Sequence, residues 1–146
     1  MSDALVGDLI PGRVVMDQRG EQIELSHDVA SPRAARAFVS RVLQGWGVNG
    51  TGIERFQLLV SELVSNAVLH GAGTIQISVS ERALNAAVVR VAVRNEGHGQ
   101  PVMRHAERND LSGRGLQLID ELSQRWGSDA ADGHTVVWFE GDPRPA

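Results

Sequence analysis

The sequence contains no cysteine and no lysine. The first absence excludes a disulfide framework, a Cys-based zinc site and a Cys nucleophile. The second excludes the P-loop, whose lysine contacts the terminal phosphates, and every Schiff-base mechanism. A phosphate handled by this chain must therefore meet glycines, backbone N–H groups and arginines. Basic blocks are missing too. Fourteen basic residues, all Arg, stand against 18 Asp plus Glu for a formal net charge of -4, which leaves no face able to track the phosphates of a duplex and argues against direct nucleic-acid binding. No apolar run approaches membrane-spanning length. The opening MSDALVGDLI carries Asp3 and Asp8 without the basic stretch of a secretory signal. These absences predict a cytoplasmic protein with no membrane partner.

What is present is ordinary for a folded domain. The 146 residues are 42% hydrophobic and 22% charged, enough for one domain with a real core and too few for two comfortable ones. Residues 12–17 and 22–26 alternate weakly, as short early strands or a hairpin would. Ser31 as N-cap and Pro32 at the first helical position predict a helix over 32–46, with Ala35, Phe38, Val39, Val42 and Leu43 as its apolar stripe. Thr51 and Glu54 have capping-box spacing ahead of a second helix ending at Gly71. Alternation in TIQISVSE and AAVVRVAVR predicts an antiparallel pair of strands. Residues 96–112 form a long aperiodic segment, a length that usually signals function or disorder. GRGLQLIDELSQRW reads as a third helix opened by Gly113 and Gly115, and TVVWFE (135–140) as the last strand. Trp46, Trp126 and Trp138 read as core or pocket-wall residues. Segregated helices and strands point to the α+β class: a two-layer sandwich with helices on one face of a mixed, mostly antiparallel sheet.

Three short stretches carry chemistry. In SELVSNAVLHG, Glu62, Asn66 and His70 recur every four residues and share one helix face. Alone, this could be the solvated edge of an amphipathic helix; it could also set a carboxylate base beside an oxygen ligand for Mg²⁺. In VRNEGHG, Gly97 and Gly99 follow a strand directly, a weak signal by itself. Gly113-Arg114-Gly115 at a helix start offers backbone N–H groups and the positive end of the helix dipole to an anion.

In this order, Glu-x-x-x-Asn, strand-Asn-x-Gly-x-Gly and Gly-x-Gly-Leu together resemble the Bergerat ATP-binding fold of gyrase, Hsp90, histidine kinase and MutL proteins. More narrowly, the chain is similar to the bacterial anti-sigma factor serine/threonine kinases of the RsbW and SpoIIAB type, over about residues 21–140. The resemblance implies ATP and Mg²⁺ as cofactors. It implies Glu62 as general base or water-orienting residue, Asn66 as the Mg²⁺ ligand and His70 near the phosphates. Gly97 and Gly99 would lie against adenine, Gly113, Arg114, Gly115 and Leu116 on the phosphate side, and Thr135 would close the adenine pocket. It further implies a kinase that phosphorylates a STAS-domain anti-anti-sigma partner, sequesters a sigma factor and can form a homodimer. The lid between the glycine motifs carries Arg104, His105 and Arg108, which could reach a terminal phosphate.

One position departs from the family pattern. Asn95 stands where relatives have the Asp that accepts a hydrogen bond from the adenine amino group. Losing the charge assistance costs about 1 kcal/mol, and because an amide can also donate, a flipped Asn95 predicts relaxed selectivity against guanine. The same substitution supports an alternative reading, a degenerate, non-catalytic nucleotide-binding module that acts through protein–protein binding.

Overall fold

The computed structural model describes residues 19–82, 85–96 and 111–144. In chain order these form β1 (Gly20–Leu25), α1 (Ser31–Gly45), α2 (Thr51–His70), β2 (Ala72–Arg82), β3 (Asn85–Glu96), α3 (Leu111–Leu122), β4 (Arg125–Ala131) and β5 (His134–Gly141). The expected strand at 12–17 lies outside the described residues.

The strands make one sheet in the order β1-β2-β3-β5-β4, and all four described pairings are antiparallel. Two-residue periodicity explains which face is covered. Ile75, Ile77 and Val79 of β2, Val89, Val91 and Val93 of β3 and Phe139 of β5 are each 3% exposed or less. They meet the apolar stripes of α1 and α2 and Leu116 and Ile119 of α3 in one core. Phe56 of α2 and Phe139 interlock edge to face, ring centroids 5.1 Å apart. The helices thus form a layer over one face, the α+β sandwich expected.

Several local expectations need correction. The N-cap of α1 is Ala30, not Ser31. Ser31 Oγ instead donates to Ser26 O at 2.5 Å, while Asp28 Oδ1 accepts from Ala30 N at 2.7 Å. No capping box forms at Thr51, because the N-cap of α2 is Gly50 at φ 87, with no side-chain cap bond. A glycine reaches that backbone conformation without strain and takes the entry role itself. The third helix begins at Leu111, ahead of Gly113, and ends at Leu122. Residues 125–131, read in part as helix, are the edge strand β4. Trp126 is its single large apolar residue, so its identity comes from pairing with β5 rather than from its own pattern. Trp46 and Trp126 pack against the core. Trp138 does not: two-residue alternation from Phe139 puts it on the helix-free face, where the Arg90 guanidinium lies 3.9 Å from its ring centroid.

Candidate functional site

α2 positions the first part of the site. Leu59, Val60, Leu63, Val64 and Ala67 hold the helix against the core, and the four-residue spacing leaves Glu62 and Asn66 stacked one turn apart. Glu62 is half-buried, and desolvation raises its carboxyl above the ordinary 4.5. Asn66 is only 7% exposed. Its Oδ1 is the one buried side-chain nitrogen or oxygen without a hydrogen-bond partner among the described residues, a state that costs free energy unless a ligand supplies the partner. His70 is exposed in the last turn of the same helix.

Gly71 closes α2 in an extended conformation, its N–H donating to Ala67 O at 2.8 Å. The chain then turns into β2, and the ends of β3 and β5 meet it. Asn95 pairs with Thr135 across these two strands, and both are buried, at 7% and 8% exposure. Asn95 Nδ2 donates to the Glu96 carbonyl at 2.8 Å. The Asn95 side chain packs directly on Gly71, where a methyl group would stand 2.7 Å from Asn95 Cγ and 2.8 Å from Ala67 O. Sequence reasoning treats Gly71 only as a cap; nothing in the local pattern signals that the amide of a distant strand needs the space.

The structure therefore brings Asn95, Thr135 and the C-terminal end of the Glu62–Asn66 helix together. Leu116 is a core residue at 4% exposure, which ties its motif to the scaffold. Gly113 falls within the first turn of α3, where N–H groups lack intrahelical partners, with Arg114 and Gly115 just after it. Gly97 and Gly99 lie outside the described residues, as do Arg104, His105 and Arg108.

No group of three or more His, Asp or Glu residues that could hold a metal occurs among the described residues. A hard cation here would need oxygen ligands from elsewhere, as Mg²⁺ commonly takes from nucleotide phosphates. The unpartnered Asn66 Oδ1 fits one place in such a shell. Beside Asn95, a polar cleft of about 180 Å³ lined by Thr74, Arg94, Glu96 and His134 is smaller than the ~300–1,000 Å³ of ordinary small-molecule sites. Arg94, Glu96 and His134 alternate with the core-facing residues, so this cleft opens on the helix-free face, away from Asn66.

The family model for the histidine kinase-like ATPase domain matches residues 25–140. The chain belongs to that family. No curated protein matches it. Among solved structures, it resembles the RsbU and RsbW domains of a Mycobacterium tuberculosis protein, with TM-score 0.66 and 22% identity over 89% of this chain and 33% of that one. A histidine kinase domain from an Erythrobacter litoralis blue-light-activated histidine kinase gives TM-score 0.50 and 26% identity over 62% of this chain and 44% of that one. The SiaB–SiaC complex from Pseudomonas aeruginosa gives 0.60 and 12% over 83% and 87%. The chain thus spans less than half the length of the first two. Likenesses at 22% and 12% identity establish the fold, which agrees with the architecture above. Membership of an ATPase family implies nucleotide binding, and no helix among the described residues is long and apolar enough to cross a membrane.

Proposed function

We propose that this domain is an ATP- and Mg²⁺-dependent serine/threonine kinase of the anti-sigma factor type, acting on a STAS-domain partner and sequestering a sigma factor when unopposed. One observation carries the reading: a desolvated carboxylate, Glu62, stands one helical turn from a buried, unpartnered amide oxygen, Asn66 Oδ1. Phosphoryl transfer calls for this pair of functions, a base that accepts the proton of the attacking hydroxyl and an oxygen ligand for the cation that neutralises phosphate charge. Glu62 takes the proton of a serine hydroxyl as its oxygen attacks the γ-phosphorus, and ADP leaves. Asn66 would hold the Mg²⁺. Gly113 and Arg114 would meet the phosphates from α3, with His70 nearby, while Asn95 and Thr135 receive the base. The resemblance to RsbW-type kinases supplies the partner classes.

The test is transfer of labelled γ-phosphate from ATP to a purified STAS-domain protein, with Glu62→Ala as control. Incorporation that disappears in Glu62→Ala supports the kinase. The uncharged Asn95 at the base position favours a second reading, a non-catalytic module whose nucleotide site shapes a partner-binding surface. Partner binding without phosphate incorporation would establish that alternative.

A further inference from the structure

The helix-free face of the sheet carries a second arrangement of side chains, on the opposite side from Glu62 and Asn66. Strand register sets it out in rows. Arg90, Glu140 and Arg125 lie abreast on β3, β5 and β4, and Ala92, Trp138 and Gly127 form the next row. Arg82, from the end of β2, reaches the same Glu140 carboxylate at 3.1 Å. That carboxylate is unevenly used: Oε2 receives Arg82 and both Nε and Nη2 of Arg90, while Oε1 has Arg125 at 3.6 Å. Three guanidinium groups carry far more N–H donors than one carboxylate has lone pairs to receive. Donors are therefore left over, above all on Arg125 and Arg82, whose side chains are 70% and 44% exposed. With three positive charges against one negative, the patch is locally basic in a chain whose net charge is -4.

Trp138 holds this patch in place. A methyl group at Gly127 would stand 2.8 Å from Trp138 Cζ2 and 3.1 Å from Cε2, so the indole lies against β4 where only a glycine leaves room. The Arg90 guanidinium, 3.9 Å from the ring centroid, is too near to sit beside the ring edge and lies over a face of it. Arg125 flanks the same ring at 5.8 Å. With Gly127 against the ring and Arg90 over it, the indole is not the open platform on which nucleobases stack.

The geometry points to a docking site for an acidic peptide segment of a partner protein, whose carboxylates take the spare N–H donors of Arg82 and Arg125 while Glu140, Arg90 and Trp138 hold the guanidinium groups in register. Charge complementarity selects the occupant, because the planar guanidinium fork matches a carboxylate two bonds at a time. Arginines already gathered by Glu140 and stacked on Trp138 lose less freedom on binding than free surface arginines would. The site does not depend on the kinase reading, since it uses no residue of the helix-covered face.

The experiment is fluorescence anisotropy of a labelled octaglutamate peptide titrated with the full chain, alongside octaglutamine and an oligothymidine of equal length. Octaglutamate should bind and octaglutamine should not. The double variant Arg82→Gln, Arg125→Gln should weaken octaglutamate binding about tenfold, whereas Arg33→Gln, at an exposed position of α1, should leave it within about twofold. Trp138→Leu keeps every charge, yet it should weaken binding about fivefold because Arg90 loses its support. Absence of octaglutamate binding, or binding unchanged in the double variant, overturns the proposal. Binding unchanged in Trp138→Leu, with folding checked by circular dichroism, reduces the patch to diffuse charge attraction and overturns the site. Tighter binding of the oligothymidine, lost in the double variant, gives the face to nucleic acid instead. A dimer in equilibrium sedimentation that becomes a monomer in the double variant gives it to a second copy of the chain, and either of these results overturns the acidic partner.

Discussion

Arg90 directs both Nε and Nη2 at one oxygen of Glu140, each at 2.8 Å. The same carboxylate takes Arg82 at 3.1 Å and Arg125 at 3.6 Å, yet its side chain is only 4% exposed. Three cations therefore surround one buried anion on the helix-free face of the sheet. Replacing Glu140 with Gln removes the anion and leaves the cations to repel one another. The expected cost is about 2 kcal/mol, below the ~3–5 of a fully enclosed pair because the arginines keep contact with water. Arg125→Gln, at a position 70% exposed, should cost less than about 1 kcal/mol. Urea unfolding of the two variants checks the ranking, and equal losses would refute it.

Asn66 predicts a conflict between stability and ligand binding. Its Oδ1 is buried without a partner, so Asn66→Leu, close in shape and free of that oxygen, should leave the ligand-free protein as stable or raise its unfolding midpoint slightly. Mg²⁺-dependent nucleotide affinity should fall in the same variant. A variant that melts earlier and binds normally would mean that the amide is merely structural.

The raised pKa of Glu62 sets a direction with pH. Desolvation favours its protonated form in the folded state, so its contribution to stability is present below the ordinary 4.5 and is lost as pH rises through the folded value. Glu62→Gln should therefore gain stability relative to the parent as pH increases. Any phosphotransfer that uses Glu62 as base should climb through a midpoint above 4.5. Thermal melts and rates across about pH 4 to 8 test both; a midpoint at or below the ordinary value would count against the base.

Glu81 behaves in the opposite sense. Its hydrogen bonds from Arg19 hold its carboxyl below the usual 4.5, so that stabilisation is present above 4.5 and lost as pH falls through the folded value. Asp142, beside Arg144, shifts in the same direction from 3.8. Acid unfolding should be less steep in Arg19→Gln than in the parent. The difference should be modest, because Arg19 is 51% exposed.

Phe139 has no exposed surface and meets Phe56 edge to face. Phe139→Ala should cost about 3–5 kcal/mol, a large share of the ~5–15 available to a domain. Phe139→Leu should cost clearly less. An unfolding series in denaturant with unchanged slope would separate lost packing from a changed unfolded state.

The elements with strong periodicity are legible in the residues alone. Val89, Val91 and Val93, or Leu59, Leu63 and Ala67, announce their faces because burial itself imposes the repeat. The helix starts are not legible at Ser31 and Thr51, where Ala30 and Gly50 take the N-cap positions without a side-chain cap bond. In each case a backbone conformation, invisible in residue types, decides which neighbour meets the helix end. β4 escapes a reading by pattern because an edge strand needs only one covered face and a partner. Glu62, Asn66, Asn95 and Thr135 can be picked out as a set by spacing and resemblance. That Gly71 crowds Asn95, or that Glu140 gathers three arginines, cannot, since these contacts join residues far apart in the chain whose types carry no mutual signature.

The strand order has a consequence for how the domain comes together. β5 is the last strand in the chain but lies inside the sheet, between β3 and the edge strand β4, so the Asn95–Thr135 neighbourhood waits on closing a long excursion through α3 and β4. Loop closure of that kind is entropically demanding. A ligand bridging Asn95 and Thr135 would act as a clasp on this excursion, and slowed amide hydrogen exchange along β3 and β5 would be its mark.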